Sequence, residues 1–157
     1  MMIRLQTYIP HTLLETLYRE GQITPDNTGS GFDRHGIYQM LSDISGFKTF
    51  FFGIRTGSTT ALHADDLCQM SNDENNVKLV LEIPRDECYE MDYYNYSDIL
   101  YFLDDPDEGP LVSLLTQSIA NGEIRDATAI QVIYPILKLD WVINLADVKA
   151  EYPCPQD

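Results

Sequence analysis

Four short segments of this chain carry strand patterns, and their spacing along the sequence restricts the fold more than any other feature. Residues 3–8 alternate apolar and polar side chains, whereas residues 48–54, 77–83 and 129–137 are richer in apolar, β-branched and aromatic residues. The segments between them do not supply one helix per strand, as the crossovers of a parallel sheet require. We therefore predict an α+β fold whose mixed, mostly antiparallel sheet has about five or six strands and contains all four segments.

The helices are predicted from apolar residues that recur three and four positions apart. Pro10 suits the first turn of a helix, Leu14 and Leu17 follow at helical spacing, and Gly21 ends the pattern. Similar patterns predict helices over residues 32–45, 96–103 and 111–119, a short helix within 59–70 and a last strand over 141–145. The strand patterns predict that the core contains Phe50, Phe52, Leu79, Leu81, Val132 and Tyr134.

The length of 157 residues suits one domain, which we place at residues 1–150, before a loose C-terminal tail at 151–157 that contains two prolines. An apolar fraction of 44% is enough to bury a core. The apolar runs are far shorter than the roughly 20 residues of a membrane-spanning helix, and the first residues lack the pattern of a secretion signal. Because Cys68, Cys88 and Cys154 are odd in number and form no C-x-x-C pair, we predict a cytoplasmic protein. The short apolar runs and the acidic charge predict that it has no membrane partner.

The charge of the chain is strongly acidic, since 25 Asp and Glu against 10 Lys and Arg give a formal net charge of −15. This balance argues against direct binding to the phosphates of nucleic acid. One interpretation is the solvated surface of an ordinary cytoplasmic protein. The other is an interaction protein, encoded by a phage or mobile element, that inhibits a host nuclease or defence protein by occupying its basic surface.

Few residues form a pattern that indicates chemistry, and the usual signatures of phosphate loops, zinc proteases and serine hydrolases are absent. His11, His35 and His63 are 24 and 28 residues apart, a spacing that neither supports nor excludes a metal site. Each is interpreted as an ordinary surface or hydrogen-bonded histidine, and no metal is expected. The turn at residues 55–60, Arg-Thr-Gly-Ser-Thr-Thr, has the composition of a phosphate or ribose site and equally that of an ordinary polar turn. The tyrosines between residues 89 and 101 indicate either core packing or a surface that stacks on a base or a protein.

Three groups of motifs resemble an uncharacterised family of bacterial and phage proteins. The first is Leu-Gln-Thr-Tyr-Ile-Pro at residues 5–10, followed by Leu14, Gly21 and Asp26. The second is Val-Lys-Leu-Val-Leu-Glu-Ile-Pro-Arg-Asp-Glu at 77–87, followed by Asp92 and Leu100. The third joins Ile-Gln-Val at 130–132 to Leu-Asp-Trp-Val at 139–142. This chain departs from the family by three phenylalanines at 50–52, in place of a tryptophan-rich segment, and by a shorter stretch between residues 109 and 126.

The opening strand, the sequence Leu-Leu-x-x-Leu-x-x-x-Gly at residues 13–21 and the late strand are also similar to small ADP-ribosyltransferase-like proteins. In those proteins the first strand binds NAD, the helix and its glycine border the nicotinamide pocket, and a Glu on a late strand binds the ribose. The resemblance implies an ADP-ribosyltransferase-like fold with NAD or a related nucleotide as ligand and the first helix as one wall of the site. By position it assigns the ligand contacts to Gln6 or Thr7, Tyr8, Thr56 or Ser58, and Gln131.

The residue at position 131 decides whether this resemblance predicts catalysis or only binding. A carboxylate there stabilises the positive charge that develops on the ribose, and the loss of such an interaction typically costs roughly 10²–10³ in rate. Gln131 is neutral, and Glu82 and Glu123 are the candidates by chain position for a substitute carboxylate. We therefore expect nucleotide binding without efficient transfer, and the acidic interaction protein is the alternative function.

Overall fold

The computed structural model describes residues 1–25, 36–56 and 76–147. The predicted helix within 59–70, the tail at 151–157, Ser58, His35, His63, Cys68 and Cys154 lie outside these ranges. The helices and strands are β1 (Met2–Pro10), α1 (His11–Glu20), β2 (Gln22–Ile23), α2 (Ile37–Ser45), β3 (Phe51–Arg55), β4 (Asn76–Pro84), β5 (Tyr89–Asp92), α3 (Tyr93–Phe102), α4 (Gly109–Ala120), β6 (Ile130–Tyr134), β7 (Leu137–Lys138) and β8 (Val142–Asp147).

Six of the strands form one sheet in the order β5-β6-β3-β1-β4-β8, and β2 pairs with β7 in a separate ribbon. Every pairing within the described residues is antiparallel. All four predicted strand segments contribute to the large sheet, in β1, β3, β4 and β6. The structure thus confirms the α+β class and the mostly antiparallel sheet.

The alternation of residues in β1 determines the two faces of the sheet. Its odd-numbered residues are buried on the face that carries α1, and its even-numbered residues point to the other face. Leu14 and Leu17 of α1 pack on the first face, and Gly21 ends the helix at a φ of 80°. The core on this side comprises Ile3, Leu5, Ile9, Leu14, Leu17, Ile23, Val77, Leu79, Leu81, Ile83, Ile130, Val132, Tyr134, Leu137 and Trp141.

A second core lies between the other face of the sheet and the helices α2, α3 and α4. It covers β3, β5 and β6, through residues such as Phe50, Met91 and Ile133. The predicted core residues are confirmed except for Phe52, which is only half-buried. Of the helices in the described part of the chain, none is long and apolar enough to cross a membrane. The cytoplasmic location stays a prediction.

Gly53 allows β3 to approach β1 closely beside the residues that the sequence assigns to ligand binding. A Cβ atom at this position would lie 2.6 Å from Leu5 Cδ1 and 3.2 Å from the Gln6 carbonyl oxygen. The first separation is too short for packed carbon atoms, and the second is tighter than most such contacts. A side chain at position 53 would therefore displace the Leu5 side chain and press on the β1 backbone at Gln6.

Asp92 joins the end of β5, the start of α3 and the loop before β6. Its side chain is fully buried and accepts hydrogen bonds from the backbone N–H groups of Asn95 at 2.9 Å, Arg125 at 2.7 Å and Asp126 at 2.9 Å. This carboxylate caps α3, which explains why the helix begins at Tyr93 rather than at the predicted residue 96.

Several predicted boundaries and faces are wrong for identifiable reasons. The segment 129–137 is not one strand, because β6 ends at Tyr134, before Pro135, and Leu137 belongs to the ribbon with β2. Trp141 lies in a 3₁₀ turn before β8 instead of in the strand. The apolar residues of the predicted helix over 111–119 do not all face the core: Leu114 is 70% exposed, because α4 contacts its neighbours through Leu115 and Ile119.

Candidate functional site

The second face of the sheet changes from apolar to polar at β1. On this face β1 and β4 place side chains opposite one another in the pairs Arg4 with Glu82, Gln6 with Val80, and Tyr8 with Lys78. Directly opposed residues of antiparallel strands point to the same side of a sheet. We call the surface formed by Arg4, Gln6, Tyr8, Lys78 and Glu82 the polar half-face; all but the exposed Arg4 are half-buried.

Gln6 and Gln131 lie on this face in one row across the sheet. Gln6 is opposite Ile54 of β3, and Ile54 is opposite Gln131 of β6. Two strand spacings of about 4.8 Å separate the two glutamines by roughly 10 Å. Gln131 is only 5% exposed, and its Nε2 lies 3.7 Å from the Met91 sulfur. Gln131 therefore borders the second core, whereas Gln6 and Tyr8 belong to the polar half-face.

The first helix is not a wall of this face, contrary to the expectation from the resemblance. Because α1 packs on the odd-numbered residues of β1, the sheet separates it from Gln6 and Tyr8. Thr7, the alternative to Gln6, points toward α1, where it is buried and its hydroxyl donates to the Phe52 carbonyl oxygen at 2.8 Å. Alternation along β1 thus separates Thr7 from the other two assigned residues.

Thr56 lies at the Arg4 end of the polar half-face, directly after β3. Its backbone N–H and its hydroxyl both donate to the Arg4 carbonyl oxygen, at 3.0 Å and 3.2 Å. These bonds fix the backbone of Arg4 and leave its side chain to pair with Glu82, whose Oε1 is 2.7 Å from Arg4 Nη2. The structure therefore places Thr56 beside β1, the strand that carries Gln6 and Tyr8, at the end of β1 where Arg4 lies.

A second group of charges lies at the same end of the sheet but on the α1 side. Glu90 binds Arg55 Nη1 at 3.2 Å and Arg85 Nη2 at 3.3 Å. The neighbouring thiol of Cys88 donates to the Arg85 carbonyl oxygen at 3.4 Å. Burial, and then the negative charge of Glu90, raise the pKa of Cys88 to about 12. Cys88 is therefore protonated at neutral pH and is a poor nucleophile.

Sequence reasoning missed Arg4 and Lys78 as members of the candidate site. The signal that could have identified them is the alternation of side chains along β1 and β4, which places residues 4, 6 and 8 beside residues 82, 80 and 78 once the strands pair antiparallel.

Of the two carboxylates considered in place of Gln131, Glu82 lies on the polar half-face. Glu123 instead accepts a hydrogen bond from the Ser118 hydroxyl at 2.9 Å, near the end of α4.

An acidic surface lies apart from the polar half-face, around the connection between α3 and α4. Residues 92–126 contain eight Asp or Glu and one cation, Arg125, which pairs with Asp92 and Asp98. Asp104, Asp105 and Asp107 are exposed in this connection, beside Tyr101, whose exposed fraction is 82%.

Within the described ranges, no group of three or more His, Cys, Asp or Glu side chains is arranged to hold a metal ion. Comparison of the chain with family models, curated proteins and solved structures finds no match.

Proposed function

We propose that this protein binds a nucleotide of the NAD or ADP-ribose class on the polar half-face. The observation that carries the proposal is that two cations, Arg4 and Lys78, flank Gln6 and Tyr8 on one face of β1 and β4. In a chain with a net charge of −15, cations gathered beside an amide and an aromatic ring favour an anionic ligand with polar and aromatic parts.

The chemistry of each side chain suits one part of such a ligand. The planar guanidinium of Arg4 matches the paired oxygens of a phosphate, and the Gln6 amide can donate to or accept from a ribose hydroxyl. The Tyr8 ring offers a face on which a base stacks. At about 3.3 Å per residue, the Cα atoms of Arg4 and Tyr8 are roughly 13 Å apart, which leaves room for an extended ligand along β1.

The proposal covers binding and excludes efficient transfer of ADP-ribose. Gln131 is neutral and almost fully buried, and Glu82 lies on β4, three strands away from Gln131 on β6. The finer fold assignment, ADP-ribosyltransferase-like, belongs to this proposal. The shared face of Gln6 and Gln131 supports that assignment, whereas the position of α1 on the opposite face counts against it.

Calorimetric titration with ADP-ribose tests the proposed site. We expect the wild-type protein to bind and Arg4→Gln to bind about 10-fold more weakly or worse, because a charge-assisted hydrogen bond is worth about 1.5–3 kcal/mol. The matched control is Arg19→Gln, which removes the same charge from α1 on the other side of the sheet. The proposal is wrong if the wild type does not bind, or if both variants weaken binding equally.

A second candidate function is that of an interaction protein that occupies a basic surface, and the acidic connection between α3 and α4 favours it. Asp104, Asp105 and Asp107 are exposed there, and the sequence from residue 93 to residue 124 contains no Lys or Arg. Acidic groups gathered next to the exposed Tyr101 ring suit a partner that combines arginines with an apolar surface.

An NMR titration with an arginine-rich peptide tests this second function. A specific surface predicts chemical-shift changes confined to residues 98–108 and their reduction in an Asp104→Asn, Asp105→Asn, Asp107→Asn variant. Changes spread equally over distant acids such as Glu15 and Asp140 would indicate attraction to the net charge alone. That result would remove the support for a defined docking surface.

A further inference from the structure

Arg4 and Glu82 form an ion pair whose position is fixed by the sheet. The two residues are directly opposed on β1 and β4, and the two bonds from Thr56 to the Arg4 carbonyl oxygen hold the backbone at this point. The side chains are nevertheless accessible, with exposed fractions of 56% for Arg4 and 37% for Glu82. A ligand can therefore reach the guanidinium without any movement of the strands.

We propose that Glu82 restrains Arg4 when no ligand is present and that an anionic group of the ligand displaces it. This inference rests on the proposed function and adds the residue that determines affinity for charged ligands. Glu82 occupies one N–H group of a guanidinium that has five, at 2.7 Å, and its negative charge repels a phosphate that approaches the same group. Removal of that charge should tighten the binding of anions and leave neutral ligands unaffected.

The neighbouring charged groups do not substitute for Glu82. Lys78 lies further along β4, opposite Tyr8, and is a cation that attracts the same ligand. Glu90, another acid at this end of the sheet, pairs with Arg55 and Arg85 on the α1 side, and Asp86 and Glu87 lie in the turn after β4. Among the ion pairs of the described residues, the carboxylate that pairs with Arg4 is Glu82.

The test is a double-mutant cycle with wild type, Glu82→Gln, Arg4→Gln and the double variant, titrated with ADP-ribose and with adenosine. We expect Glu82→Gln to tighten ADP-ribose binding about two- to five-fold, the range that corresponds to an exposed ion pair, and to leave adenosine binding unchanged. In the Arg4→Gln background, Glu82→Gln should have no effect. The control variant Glu15→Gln removes the same charge from α1 and should change neither ligand.

The outcomes separate this inference from the proposed function. If the wild type and Glu82→Gln both fail to bind ADP-ribose, the proposed function is wrong and the inference falls with it. If the wild type binds and Glu82→Gln does not bind more tightly, only the role of Glu82 is refuted. An equal gain in Glu15→Gln, or a gain that persists without Arg4, would show a general effect of charge and would also overturn the role of Glu82.

Discussion

Replacement of Asp92 by Ala should destabilise the protein more than any other single change of an acidic residue in α3 and its flanks. The substitution removes a fully buried carboxylate that accepts hydrogen bonds from the backbone N–H groups of Asn95, Arg125 and Asp126. Hydrogen bonds to a charged group are worth about 1.5–3 kcal/mol each, but bonds that share one carboxylate do not add fully. We expect a loss of about 3–5 kcal/mol in the free energy of unfolding.

Urea unfolding at neutral pH measures this loss, with Asp98→Ala as the matched control. Asp98 lies on the helix that Asp92 caps and contacts the same arginine, Arg125, at 3.4 Å, but 43% of its side chain is accessible to solvent. Its removal should change the free energy of unfolding by less than about 0.5 kcal/mol. A loss below about 1 kcal/mol for Asp92→Ala, or equal losses for the two variants, would refute the view that the buried carboxylate organises this part of the fold.

The other predictions concern packing and pH. Phe50→Ala should lower the free energy of unfolding by about 3–5 kcal/mol, because the ring is buried in the second core; a loss under about 1 kcal/mol would contradict this. Gly53→Ala should cost about 1–3 kcal/mol in urea unfolding, since the new methyl group would meet Leu5, whereas Gly109→Ala, with open space around it, should be nearly neutral. Stability should fall as the pH rises from about 9 toward 12. The reason is that the Cys88 thiol, whose pKa is raised from 9.0 to about 12, stays protonated in the folded protein while the unfolded chain loses this proton. Burial also raises the pKa values of Tyr89 and Tyr134 and adds to the same trend, and Cys88→Ala should reduce the slope of stability against pH.

The sequence predicts β1 and β4 well because the order of apolar and polar residues in these strands reflects which side chains are buried. Val77–Ile83 and the alternation of residues 3–8 identify β4 and β1 almost to their ends, since both strands have a neighbour on each side in the sheet and pack against α1. The strand β5 has no such pattern, because Glu90 pairs with arginines and Asp92 caps a helix. Its position in the sheet depends on pairing with β6, which is a long-range contact that local sequence does not encode.

The candidate site is predictable only in part, for a related reason. Gln6 and Tyr8 share a face because side chains alternate along one strand, and the sequence contains that information. Their neighbours Lys78 and Glu82 come from a strand about 70 residues later, so they appear only once the register of β1 with β4 is known. The burial of Gln131 likewise depends on how the second core packs over β6.

The most direct test of the account is to map ADP-ribose binding onto the protein by NMR. We predict chemical-shift changes in the backbone amides of β1 and β4 around Arg4, Gln6, Tyr8 and Glu82, with α1 unaffected because the sheet separates it from the polar half-face. Changes confined to α1 and β2, or the absence of changes at millimolar ligand, would contradict the assignment of the polar half-face as the nucleotide-binding surface.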